Sequence, residues 1–445
     1  MPSPITTSQQ AVNEPSSNLL LVYLIKLHER TKMRSDRTVP LQPYRRVLAL
    51  PQARTSMLLM FFARLPMTAM GITLTLHVVS DLGRGYGAAG LVGTATMVGT
   101  AISSPLLGRL IDRYGLRPVV AVCGACSTAF WVSAPYLPYV SLVAISLPAG
   151  MLTVPAGSLA RQVLAALVPE AQRRAAFALD TISVEMSFMV GPSGGILVIT
   201  QVSSTAALTG IGVCFALTAF ALCVMNPPIR GEDEPARQRT EARPPLRSWL
   251  TGRLIATLLI AIGALFTLIG TEVAVLAALR ANGEVTWTGL LITVMCVASI
   301  AGGIVHGVVH RSLSQSKLML LLGVLVIPAG LLDQPWWLLA IALIPTNLAC
   351  APTLAATTES VSKLAPAQVR GEAMGLQDSA TRVGLALGAP VVGFAVDHSS
   401  PAWGFAAAGV GGLLIASFGV IWQLASSRPG GEFSEELSLA RSVEK

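Results

Sequence analysis

Six ionisable residues lie inside stretches that are otherwise apolar: Arg64, Asp180, Glu185, Glu272, Asp378 and Arg382. If these stretches cross a bilayer, each mid-membrane charge costs about 2.5–3.5 kcal/mol on insertion scales, so each calls for a partner, a proton or a ligand. Glu185 has no basic residue within a turn of its own helix. It needs a partner from elsewhere, such as Arg64 or Arg382, or a proton, and an acid that titrates at mid-membrane is what proton coupling requires. Glu272 is the second candidate for that role. Asp378 and Arg382 stand four residues apart, the spacing of an ion pair on one helix face, as do Glu359 and Lys363. Asp180 falls near the start of its helix, where it would favour the positive end of the helix dipole. Arg64 equally suits an anionic ligand.

The elements that must position these residues follow from composition. Of 445 residues, 53% are hydrophobic and 12% charged, with mean hydropathy +0.64. Soluble domains carry about 25% charged residues, so the chain reads as an integral membrane protein. Twelve segments can span: 57–80, 86–107, 118–137, 139–160, 175–199 and 204–226, then 252–279, 287–309, 317–333, 336–360, 372–396 and 402–424. The expected fold is an all-α polytopic membrane protein, twelve transmembrane helices in two pseudo-symmetric six-helix bundles. The bundles occupy 57–226 and 251–424. Residues 1–56 form a cytosolic tail, 227–250 a cytosolic linker and 425–445 a second cytosolic tail.

Glu185 lies about eleven residues into the fifth segment, about 16 Å at 1.5 Å per residue and near the midplane. Arg382 has nearly the same depth in the eleventh. All Lys and Arg residues except Arg64, Arg84, Arg280 and Arg382 fall on the side that holds both termini. The positive-inside rule therefore puts both termini in the cytoplasm, in a multi-pass protein of the inner (plasma) membrane. The net charge of +8 belongs to this asymmetry, and no nucleic-acid partner is expected. The six cysteines lie in apolar stretches, and Cys123-x-x-Cys126 reads as packing residues. The sequence shows no metal-ligand cluster, no nucleophile–base set and no nucleotide-binding loop, so no cofactor, no metal and no enzymatic activity are expected.

The densest charge cluster between two long apolar segments is Gly108–Pro118, GRLIDRYGLRP. Gly115 supplies a tight reversal between helices. Asp112 can accept hydrogen bonds from a neighbouring helix N-terminus near Gly371 and pair with Arg113 or Arg117, which would form a cytosolic latch. An offset of 198 carries Asp112-Arg113 to His310-Arg311, Asp180 to Asp378 and Pro192 to Pro390, which is the mark of an internal repeat. Gly191–Gly195 and Gly384–Gly388 are small-xxx-small pairs that let helices approach, while Pro192 and Pro390 permit bends. Their matched placement suits elements about which two halves rock.

Gly108, Asp112, Arg113, Gly115 and Arg117 together resemble the loop signature of the major facilitator superfamily, with a departure at Leu116. His310 stands where the second copy of that motif carries an acid. Gly191-Pro192-Ser193-Gly194-Gly195 is similar to the antiporter signature of the drug-efflux branch. The fourth segment, Val140–Ala160, carries no internal charge, and Arg161 marks its cytosolic end. The resemblance covers about 57–424. It implies a monomeric secondary transporter that exports a small organic compound in exchange for protons, with the lipid bilayer and the substrate as partners. Uptake by symport or facilitation, and a membrane-embedded sensor or enzyme, stay open as alternatives.

Overall fold

In the computed structural model, residues 41–230, 244–309 and 312–426 are described, and every regular element among them is helical. A short helix α1 (Gln42–Ala49) leads into α2 (Pro51–Leu76), which ends in a π-helical turn, His77–Asp81. Then come α3 (Tyr86–Tyr114), α4 (Leu116–Ser133), α5 (Tyr139–Met151), α6 (Ala156–Leu167), α7 (Arg173–Gln201) and α8 (Ser204–Met225). The second half holds α9 (Gly252–Ala281), α10 (Thr288–Val308), α11 (Gln315–Val326), α12 (Trp336–Leu364), α13 (Arg370–His398) and α14 (Pro401–Ser426). Eleven crossings are long and apolar enough to span a membrane, with α5 and α6 counting as one. The remaining crossing, Gln315–Leu331, is apolar but shorter, and Pro328 stands in the 3-10 helix that ends it.

Each half has its own apolar interior. Val92, Val120, Leu142, Leu208 and Phe215 centre the first, and Ala274, Leu291, Leu339 and Phe405 the second. Apolar side chains also cover the outside, among them Leu217, Phe220, Leu414 and Phe418. Helices immersed in hydrocarbon gain little from hiding apolar surface, so they hold together through close approach of small residues. Gly263 faces the Gly412 carbonyl where α9 crosses α14, and Gly302 faces the Leu348 carbonyl where α10 crosses α12.

Two features differ from the sequence expectation. The expected tail 1–56 is helical from Gln42, and the first span starts at Pro51. Tyr44 and Val47, three apart on α1, are both buried, while Arg45 and Arg46 face outward; eight residues of this kind are too few to register as a span. The fourth crossing does not stop at Ala160. It unwinds over Leu152–Pro155 and resumes as α6 to Leu167, so Arg161 lies inside a helix and not at its end. The His310–Arg311 echo, most of the linker (231–243), residues 1–40 and the tail from 427 lie outside the described residues.

Candidate functional site

A cavity of about 1080 Å³ lies between the halves and is lined by residues of α2, α3, α6, α7, α9, α10, α12 and α13. All of Arg64, Asp180, Glu185, Glu272, Asp378 and Arg382 face it, together with Arg161. Its charges fall into two groups. In the first, Arg64 Nη2 of α2 approaches Asp180 Oδ1 of α7 at 2.7 Å. Asp378 of α13 is shared by Arg161 Nη2 at 3.3 Å and Arg382 Nε at 2.9 Å, and Ser104 Oγ of α3 donates to its Oδ2 at 2.7 Å. Asp180 is therefore an ion-pair partner more than a dipole cap. Arg161 escaped the sequence reading because a charge flanking an apolar run reads as the run's end. The signal that could have found it is the Pro148–Pro155 pair, which breaks the helix and lets it resume with a new face inward.

In the second group, Glu185 pairs with neither arginine. Its Oε1 accepts a 2.8 Å hydrogen bond from Ser299 Oγ of α10, and the Cys296 thiol also reaches it. The arginines are already engaged by Asp180 and Asp378, which stand nearer the α7 and α13 N-termini. Glu272 of α9 is exposed to the cavity, makes no ion pair among the described residues and lies within electrostatic reach of Glu185.

One end of the cavity is sealed along two seams. On the first, Asp112 receives the α13 N-terminus: Gly371 N donates to Oδ1 at 3.2 Å and Glu372 N to Oδ2 at 3.0 Å. Gln162 Nε2 adds a 2.7 Å bond, and Arg230 Nη2 holds the Asp112 carbonyl at 2.7 Å. The contact requires glycine: a Cβ on Gly108 would strike the Gly371 carbonyl, and one on Gly371 would strike the Asp112 carboxylate. Gly115 takes φ +85°, which lets α3 stop and α4 start without a linker. Arg113 and Arg117 do not pair with Asp112. Arg113 lies over the Tyr114 ring at 5.1 Å, and Arg117 Nε donates to the Cys223 carbonyl at 2.9 Å, because Asp112 points away from them toward α13.

On the second seam, Arg174 Nε meets Glu359 Oε2 at 3.2 Å and its Nη1 donates to the Val309 carbonyl at 3.3 Å, while Lys363 Nζ holds Glu359 at 2.7 Å. Tyr44 of α1 crosses from the first half to the second, its hydroxyl 2.9 Å from the Gly303 carbonyl and 2.7 Å from that of Ile304. Burial pushes the Tyr44 phenol up to about 12, so it remains a donor at any physiological pH. Among the described residues no hydrogen bond or ion pair joins the halves beyond Glu185 and Ser379, and Ser193, Gly289 and Ala389 line the cavity there. The cavity thus opens at the opposite end.

The glycine pairs belong elsewhere than expected. Gly191 packs on Leu65 and Thr68 of α2, Gly195 on Ala69 and Thr73, and Gly384 and Gly388 on α9, all within their own halves. They bind helices inside each half, since at their level the cavity separates the two halves. Gly194 faces open space. Pro192 and Pro390 lie within continuous helices, α7 and α13.

The family model of the major facilitator superfamily matches residues 56–332 and 282–443. The chain belongs to that superfamily and has its two-bundle, twelve-helix membrane fold. It is 27% identical over 154 residues to the multidrug efflux pump Tap of Mycobacterium tuberculosis (strain ATCC 25618 / H37Rv), and Tap of Mycobacterium bovis matches to the same degree. That stretch is 32% of this chain, which spans only 36% of the length of those relatives. Among solved structures, the human organic anion transporter MFSD10 (TETRAN) superposes with TM-score 0.65 at 17% identity, covering 84% of this chain and 99% of that one. The proton:xylose symporter XylE gives 0.64 at 13% identity, with 85% and 96% covered. At such identities the likeness concerns the fold.

Proposed function

We propose that this transporter exports a small amphipathic organic compound by alternating access in exchange for protons. The observation that carries the reading is Glu185: an acid in the central cavity, beside both halves, bonded by Ser299 and Cys296 but compensated by no cation among the described residues. Such a carboxyl can hold a proton in one state and release it, or receive a cationic group, in another. The positive-inside rule puts the sealed end on the cytoplasmic side and both termini with it, in the cytoplasmic membrane. The structure is then the outward-open state, and Asp112, Tyr44 and Arg174 form the latch that must part for the cytoplasmic side to open. Export is favoured by the partial likeness to a multidrug efflux pump. A single chain supplies the whole cavity and both seams, which suits a monomer.

The test is accumulation in intact cells of a compound to which overexpression confers resistance. Wild-type cells should accumulate less of it than cells carrying Glu185→Gln, and a protonophore should erase the difference. Low accumulation that persists in Glu185→Gln cells would remove Glu185 from the coupling path. Higher accumulation in wild-type cells would point to symport.

A further inference from the structure

Resting on that transport reading, we infer that the cavity is built for a zwitterionic amphiphile, its anionic group on Arg64 and its cationic group between Glu185 and Glu272. Arg64 is only 5% exposed, yet neither of its Nη atoms has a hydrogen-bond partner. The 2.7 Å approach of Nη2 to Asp180 is close enough for an ion pair but is not aligned as a hydrogen bond. A buried guanidinium normally fills its donors, so these two shielded nitrogens hold donor capacity that a planar oxyanion can take up when the side chain turns into the cavity it lines. The surrounding group adds to the pull: among the described residues Arg64, Arg161 and Arg382 pair with two carboxylates, Asp180 and Asp378, leaving one positive charge over.

The other group is the complement. Glu185 and Glu272 lie on α7 and α9, one in each half, and neither forms an ion pair among the described residues. Asp180 and Glu185 are five residues apart on one helix, a rise of about 7.5 Å. The Arg64–Asp180 contact and Glu185 are therefore offset by about that much along the α7 axis, with Met67, Met295, Leu268 and Ile269 lining the cavity around them as apolar cover. A monoanion would leave both acids uncompensated, and a monocation would leave the Arg64 donors unfilled. A molecule with both charges on an apolar body satisfies each. Its cationic group competes with protons for the two glutamates, which is the competition that exchange requires.

Norfloxacin is a suitable fluorescent probe, with a carboxylate and a piperazine nitrogen at opposite ends of an aromatic body. Its methyl ester is a cation and its N-acetyl derivative an anion. Equilibrium binding to the purified protein in lipid nanodiscs at pH 7.5 should favour norfloxacin by about tenfold over either derivative. Arg64→Gln should weaken norfloxacin and the acetyl anion by about tenfold and leave the ester unchanged. Glu272→Gln should weaken norfloxacin and the ester and leave the anion unchanged. Asp180→Asn gives the decisive sign. If Arg64 only ties α2 to α7, this variant weakens binding as Arg64→Gln does; if Arg64 holds the anionic group, freeing it tightens norfloxacin and the anion. Equal affinity for the three compounds, no saturable binding of norfloxacin, or weaker binding in Asp180→Asn overturns the inference. Proton-dependent export that survives such a result leaves the transport reading standing.

Discussion

Asp378 joins the two halves: Ser104 and Arg161 reach it from the first half, and Arg382 from its own helix. Removing one member of a buried ionic group leaves the rest uncompensated, at a cost of about 3–5 kcal/mol. Asp378→Asn should therefore lower the thermal unfolding midpoint in detergent markedly, and an unchanged midpoint would show that water already screens the cluster. Conversion of Asp378 and Arg382 together to Asn and Gln should restore part of the loss, though Arg161 stays unpaired. The i,i+4 pair was legible because both residues share a helix; Asp180 with Arg64 and Glu185 with Ser299 were not. Their partners are separated by more than 100 positions, and only the packing of α2 and α10 on α7 brings them together. Arg161 was hidden for a different reason, since its helix restarts after an unwound turn that no hydropathy pattern records.

At the scale of elements, the sealed end depends on a helix N-terminus meeting a carboxylate. Asp112 accepts two backbone amides of α13, and charge-assisted bonds of this kind contribute about 1.5–3 kcal/mol each. Asp112→Asn keeps one acceptor oxygen and loses the charge, so expression should be normal while transport falls by about tenfold or more; full transport would remove the latch from the cycle. The second seam uses other chemistry at the equivalent place. The offset of 198 carries Arg174 to Glu372, yet Arg174 binds through its side chain to Glu359 and to the Val309 carbonyl, whereas Glu372 gives its amide. The helix α1 joins this seam. Tyr44→Phe removes the only hydroxyl that ties α1 to α10 among the described residues, worth about 1 kcal/mol. A cysteine placed at Ser360 should then react with a membrane-impermeant maleimide from the sealed side about fivefold faster; an unaltered rate would mean that α1 rests passively on the seam. Spans were readable because long apolar runs have few interpretations. The helix α1 was not, because its two buried residues acquire meaning only when α10 and α12 stand beneath them.

For the molecule as a whole, the two halves meet at one end and part at the other, and the charges are arranged to match. Hydrogen-bonded and ion-paired groups lie along the sealed seams, and titratable groups line the open cavity. The repeat was visible in Asp180 and Asp378, but the two copies have diverged in use: one aspartate binds an arginine from another helix, and the other is shared by two. What the sequence could not convey is the emptiness between the halves, since a cavity has no residues of its own. The most direct test of proton exchange is a pH reading in energised everted membrane vesicles, whose interior is acid. A compound to which overexpression confers resistance is added while interior acidity is followed with acridine orange. Exchange predicts that the compound enters as protons leave, so fluorescence recovers with the wild-type protein and stays quenched with Glu185→Gln. No recovery with the wild-type protein, or equal recovery with both, would contradict it.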